Sequence, residues 1–277
     1  MFKEYVKNLE AKANEAIKTE DCDYVKDGLL HCGRCNTPKQ CRIELMGMTI
    51  SPKTLCKCEK ERQEREKEVI KQRELAERIK KYRKMGFPES QMQYWTFDND
   101  DGGNEKLTNM AKRYVNHFES MFKEGKGLLL WGGVGTGKTY IACMIANALI
   151  DKGYPVLVTN FARILSTLQG TFEKQQYLDS LNQFKLLIID DLGIERDTGY
   201  AKEQVFNIID SRYRAGLPMI ITTNLTMQKL ATECDLSDKR VYDRILERCY
   251  PVEVAGKSRR MEKLINSRDD MRDLLGI

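Results

Sequence analysis

Gly132-Gly133-Val134-Gly135-Thr136-Gly137-Lys138-Thr139 satisfies GxxxxGK[ST] at every fixed position, between the apolar run GLLLW and the helix-forming run TYIACMIANALI. Glycines there let backbone N–H groups curl around phosphate oxygens without Cβ obstruction, and the following helix adds its partial positive N-terminus. Lys138 is expected to bridge the β- and γ-phosphates of ATP, and the Thr139 hydroxyl to bind Mg²⁺. About fifty residues on, Leu186-Leu187-Ile188-Ile189 ends in Asp190-Asp191. Asp190 suits a Mg²⁺ held through water, and Asp191 suits a base that orients and deprotonates the attacking water. A third apolar run, Ile220-Ile221-Thr222-Thr223, ends in Asn224, whose amide can polarise the same water. Strands often end in such polar turn formers for purely structural reasons.

The elements that must position these groups are legible from periodicity. Continuously apolar runs at 127–131, 155–159, 185–190, 218–223 and 250–254 alternate with helical patterns, as in a parallel sheet covered on both faces. The expected fold class is α/β, a five-stranded parallel sheet flanked by helices over residues 91–277. Residues 1–58 form a smaller region with a short amphipathic helix near the N-terminus. Residues 59–90 form a charged linker helix closed by Gly86 as a C-cap, with Pro88 two residues on.

Nine cysteines, an odd number, do not suggest a secreted disulfide framework, and the N-terminus carries no apolar stretch of signal-peptide type. A cytoplasmic protein without a membrane segment is expected, where clustered thiols are more often metal ligands than cross-links. Cys32-x₂-Cys35 and Cys56-x-Cys58 can supply four thiolates to a closed structural Zn²⁺ site, with His31 or Cys41 as substitutes for one member. Cys143 and Cys249 read as small core residues. The net charge is +5, of which 11 basic against 7 acidic residues fall between Glu59 and Lys84, mainly a solvated helix face. Arg240, Arg244 and Arg248 recur four apart on one helical face, followed by Arg259 and Arg260.

The order of these parts, from phosphate loop through paired acids and the asparagine strand to RVYDRI and GKSRR, resembles the AAA+ ATPases. Within them it is similar to the bacterial and phage replicative-helicase loaders of the DnaC and DnaI type, from about Tyr94 to Arg260. The resemblance implies that Arg244 acts as an arginine finger and Arg260 as the second sensor, with Arg259 competing for that role. It also implies that Phe172, Thr198 and Tyr200 line a single-stranded DNA path, and that the CxxC and late CxC pairs hold zinc. The function so implied is ATP-dependent loading of a hexameric replicative helicase onto single-stranded DNA by a homo-oligomer. Asp191 departs from the glutamate found in many AAA+ proteins. An IstB-like transposition helper ATPase shares this core but normally lacks the cysteines. A zinc-dependent nucleic-acid-binding module with a vestigial ATPase is the reading from another class, and a small-molecule kinase leaves the arginines without a purpose.

Overall fold

The computed structural model describes residues 2–45, 47–193, 198–232, 236–256, 258, 271, 272, 274 and 275. The chain divides into two compact units, Met1–Ala76 and Glu77–Ile277.

The first unit begins with α1 (Phe2–Ala16) and continues into two small antiparallel hairpins, β1 (Tyr24–Lys26) with β2 (Leu29–His31), and β3 (Ile43–Leu45) with β4 (Met48–Ile50). These hairpins are absent from the sequence reading, which finds only turns between Gly28 and Cys58. Strands of three residues are too short to display an alternation. One signal was present: Asp27-Gly28 takes φ of 52° and 74°, the two consecutive positive values of a type I′ turn. α2 (Lys57–Gly86) is polar almost all round, and the boundary between the units falls within it.

In the second unit a 3₁₀ turn (Ser90–Tyr94) precedes α3 (Glu105–Asn116) and α4 (Phe118–Glu124). There follow β5 (Gly127–Trp131), α5 (Lys138–Asp151), β6 (Val156–Asn160), α6 (Phe161–Gly170), α7 (Lys174–Leu181) and β7 (Leu186–Leu192). α8 (Gly199–Arg214), β8 (Met219–Thr223), α9 (Met227–Ala231), α10 (Leu236–Arg248) and β9 (Cys249–Glu253) complete it. The five strands form one parallel sheet in the order β6-β7-β8-β5-β9, close to the expected boundaries.

Period-two alternation divides the core between the two sheet faces. Leu128, Leu130, Ile188 and Ile220 join α3 and α5 on one side, where Cys143 is fully buried. Leu129, Leu187, Ile189 and Ile221 join α6, α8 and α10 on the other, with Cys249. Burying both faces explains why the strands read as unbroken apolar runs. Gly86 ends α2 as expected, but for a different reason. Its φ is not positive, and a Cβ there would lie 2.7 Å from the Val156 carbonyl oxygen, so close packing against β6 requires the glycine. Among the described residues no helix is long and apolar enough to cross a membrane.

Candidate active site

The order of the sheet creates the site. β5 is flanked by β8 and β9, while β6, the next strand in sequence, lies at the far edge, so the chain reverses its winding beside β5. Crevices at such switch points, outside the carboxyl ends of the strands, are where open α/β sheets bind ligands.

β5 runs straight into the glycine loop. Gly132, Gly135 and Gly137 have φ of 147°, 80° and 101°, and α5 starts at Lys138. These dihedrals turn the backbone without a Cβ cost. Lys138 is only 5% exposed, and its ammonium donates to the carbonyls of Gly132 (3.0 Å) and Gly133 (2.7 Å) and to Asn224 Oδ1 (2.7 Å). Val134 stands at the exposed tip of the loop, and Thr136 closes it by donating to the Gly133 carbonyl at 3.0 Å. A Cβ on Gly135 would lie 2.2 Å from Ser258 Oγ, so the GKSRR segment touches the phosphate loop at its serine. Arg259 and Arg260 lie outside the described residues.

Thr139 Oγ1 lies 2.9 and 3.1 Å from the two carboxylate oxygens of Asp190. A hydroxyl and a carboxylate this close make an oxygen ligand set of the kind Mg²⁺ takes, leaving its other positions to water and phosphate. Burial raises the pKa of Asp190, and the neighbouring Asp191 adds to the shift, while Thr222, Thr139 and Lys138 oppose it. β7 continues past the two aspartates to Leu192, with an irregularity against β8 between Ile189 and Leu192, and Asp191 takes a φ of 60°. An extra residue in one strand is how consecutive side chains escape strict alternation. Both carboxylates therefore stay half-buried at the same edge.

Thr222 was passed over in the sequence as a turn former. It is fully buried, donates to Asp190 Oδ1 at 2.5 Å and accepts from the Asp191 amide at 2.9 Å, bracing the irregular segment from the adjacent strand. Asn147 was also missed. Buried to 1% exposure in α5, its Nδ2 faces the carbonyls of Met92 (2.9 Å) and Trp95 (3.0 Å), pinning the entry segment beside Tyr140. A lone amide inside TYIACMIANALI was the available signal.

The arginines separate. Arg240 is exposed, Arg248 lies over the Tyr213 ring at 4.9 Å, and Arg244 pairs with Asp210 at 2.8 Å. The three residues expected on a DNA path also differ. Phe172 is fully exposed between α6 and α7, which excludes a core role. Thr198 caps α8 by accepting from the Ala201 amide at 3.2 Å. Tyr200 is half-covered, with Lys174 Nζ 5.3 Å from its ring centroid and a buried hydroxyl that has no partner among the described residues.

In the first unit the sulfurs of Cys32, Cys35, Cys56 and Cys58 all lie within 4.8 Å of one another, with Cys56–Cys58 at 3.3 Å and Cys32–Cys58 at 3.6 Å. Tetrahedral Zn–S bonds of about 2.3 Å separate sulfurs by about 3.8 Å, so the donor set fits zinc. His31 is occupied otherwise, its Nδ1 at 3.0 Å from the Leu29 carbonyl and its ring stacked on Tyr24. Cys41 Sγ lies 3.9 Å from the Pro52 carbonyl, outside the group. The Thr37 hydroxyl holds the Cys35 thiol down to about 5, while hydrogen bonds from Cys56 and Cys32 push Cys58 up to about 12. Crowded thiols resist ionising together, which is the condition a cation relieves. Beside them Lys39, 5% exposed, pairs with the buried Asp23 at 2.5 Å.

The family model for IstB-like ATP binding protein matches residues 54–267. The chain belongs to this family. Its relatives include the replicative helicase loader DnaC of Escherichia coli (strain K12), 30% identical over 148 residues, or 52% of this chain and 58% of that protein. The replicative helicase loader DnaI of Bacillus subtilis (strain 168) is 27% identical over 164 residues, 53% of each. The chain thus spans somewhat over half the length of the curated relatives it matches. A crystal structure of DnaI superposes with a TM-score of 0.54 at 27% identity, covering 63% of this chain and 95% of that one. A DnaC structure, at 24% identity and a TM-score of 0.52, shares the fold. This IstB-like chain is therefore similar in sequence to the named DnaC and DnaI proteins and shares their fold, in line with the resemblance carried by its motifs.

Proposed function

We propose that this IstB-like protein is an ATP-driven loader that places a hexameric replicative helicase onto single-stranded DNA. The observation that carries the reading is the similarity of its ATPase core to proteins named replicative helicase loaders. The IstB-like transposition-helper alternative shares the matched family model, but the relatives named above are helicase loaders and the four-cysteine cluster suits a loader.

In this reading Lys138 exchanges its carbonyl and Asn224 contacts for the β- and γ-phosphate oxygens of ATP. Thr139 and Asp190 hold Mg²⁺, which neutralises charge on the phosphates when bound. Asp191 takes the proton of the attacking water and Asn224 orients it. Arg244 reaches the γ-phosphate in a neighbouring subunit of an ATP-bound homo-oligomer, and Arg260, or Arg259 beside it, contacts the nucleotide as second sensor. Phosphoryl transfer asks for this kind of positioning and charge neutralisation rather than covalent chemistry. Cys32, Cys35, Cys56 and Cys58 hold a structural zinc. Residues 1–58 grip the helicase, residues 59–90 link, and residues 91–277 bind ATP and DNA.

The test is a loading assay. The full chain is mixed with its host's replicative helicase and circular single-stranded DNA coated with single-strand-binding protein. ATP-dependent appearance of helicase on the circles supports the reading. Failure to capture the helicase, with ATP turnover intact, overturns it.

A further inference from the structure

Asp210 lies on α8, outside the phosphate loop and both acidic positions of β7, and none of the site's motifs includes it. Its two carboxylate oxygens go to two arginines. Oδ1 accepts from Arg244 Nε at 2.8 Å, and Oδ2 forms an ion pair with Arg214, 2.8 Å from its Nε. The partners are not equivalent. Arg214 is a surface side chain, 76% exposed, one turn away on the same helix. Arg244 comes from α10 and is 26% exposed against 13% for Asp210.

Arg244 is fixed on three sides. Besides Asp210 at Nε, its Nη1 donates to the Arg240 carbonyl at 3.0 Å, and the flat guanidinium lies 4.6 Å from the centroid of Phe206. Phe206 is itself packed against the core cluster of this sheet face. Among the described residues Nη2 makes no hydrogen bond. A long side chain with four rotatable bonds is thus reduced to one orientation with one nitrogen unspent, and the ordering entropy is met inside the subunit before any neighbour arrives.

We propose that Asp210 is the positioning residue of the intersubunit arginine: it orients the Arg244 guanidinium so that Nη2 is presented to a phosphate of the adjoining subunit. The inference rests on the reading of Arg244 as a finger acting in trans. Asp210 touches neither nucleotide nor water in this scheme and acts only through Arg244. Asp210 and Arg244 cancel each other, so with Arg214 the group carries one net positive charge, the sign that suits the phosphates of the adjoining subunit.

The test is complementation between subunits of the full chain, read as ATP turnover on a single-stranded oligonucleotide. Asp210→Ala is expected to bind ATP normally with an unchanged KM and to lose about tenfold or more in kcat, because misplacement by an ångström is that costly. Asp210→Asn, which keeps an acceptor for Nε, retains most of the activity, and Arg214→Ala is nearly normal. Mixed with Lys138→Ala, Asp210→Ala recovers turnover, since each subunit supplies what the other lacks. Mixed with Arg244→Ala it recovers none, because both variants fail as donors of the same group. Recovery in that last mixture would place Asp210 on the phosphate-loop side and overturn the proposal. So would normal kcat in Asp210→Ala when Arg244→Ala is inactive. Full activity of Arg244→Ala removes instead the finger reading on which the proposal stands.

Discussion

Asp190 is held in a compromise that its environment makes measurable. Burial raises its pKa above the ordinary 3.8, so the folded protein keeps a proton that the unfolded chain has already released. Stability then falls as pH climbs from about 3.8 through the raised folded value, and the deficit persists at neutral pH. Asp190→Asn, which can still accept from Thr139 and Thr222, should therefore raise the melting temperature of nucleotide-free protein at pH 7 by about 2–4 °C. The same variant should lose Mg²⁺-dependent ATP turnover. Calorimetric scans at pH 4 and pH 7 would show the gain only at the higher pH, and a gain of equal size at both would refute the account. The companion substitutions divide binding from chemistry. Lys138→Ala is expected to abolish nucleotide binding by removing the phosphate-facing ammonium, whereas Asp191→Asn binds ATP and turns it over at least tenfold more slowly. Fluorescent-nucleotide titration beside phosphate release separates the two, and wild-type turnover in either variant would contradict the assignment.

Among the elements, the cysteine knuckle depends most on something other than its own packing. Its two hairpins have three-residue strands, and two-stranded pieces of that size do not hold alone in water. Elemental analysis should return about one Zn²⁺ per chain. Cys56→Ser should lose the metal and Cys41→Ser keep it, with chelation melting the first unit while ATP binding survives. Metal content unaffected by Cys56→Ser would point to a different ligand set. The same elements divide into those with a local mark in the sequence and those without. Five strands, both nucleotide motifs and the four cysteines were visible because burial on two faces and fixed motif spacings leave local marks. The contact of Thr222 with Asp190 was not, since it joins residues on strands whose adjacency comes from the sheet order. Asp210 was hidden for the same reason, because its pairing with Arg244 crosses two helices. Tyr200 is expected beside Phe172 on the proposed DNA path, yet its ring is half-covered and its hydroxyl buried, so it offers less free ring face than Phe172.

At the scale of the whole molecule, the proposed DNA contact turns on that difference. Phe172 stands free in solvent, so Phe172→Ala should weaken binding to a single-stranded oligonucleotide by about 1–3 kcal/mol, the contribution of one stacked base, with ATP affinity preserved. Tyr200→Ala should cost less. Anisotropy titrations at several salt concentrations provide the check, and an unchanged affinity for Phe172→Ala would remove it from the path. The sheet order has a further consequence, for the time at which the protein comes into being. β5 leads into the phosphate loop, yet among the described residues its partners in the sheet are β8 and β9, which are translated some ninety to a hundred and twenty residues later. Parallel pairing over such separations is slow to form, and it cannot begin before the partner exists. A nascent chain that has reached Leu217 already contains both the glycine loop and the paired aspartates. It lacks the strand that sets them side by side, so a ribosome stalled there should hold a chain unable to retain ATP.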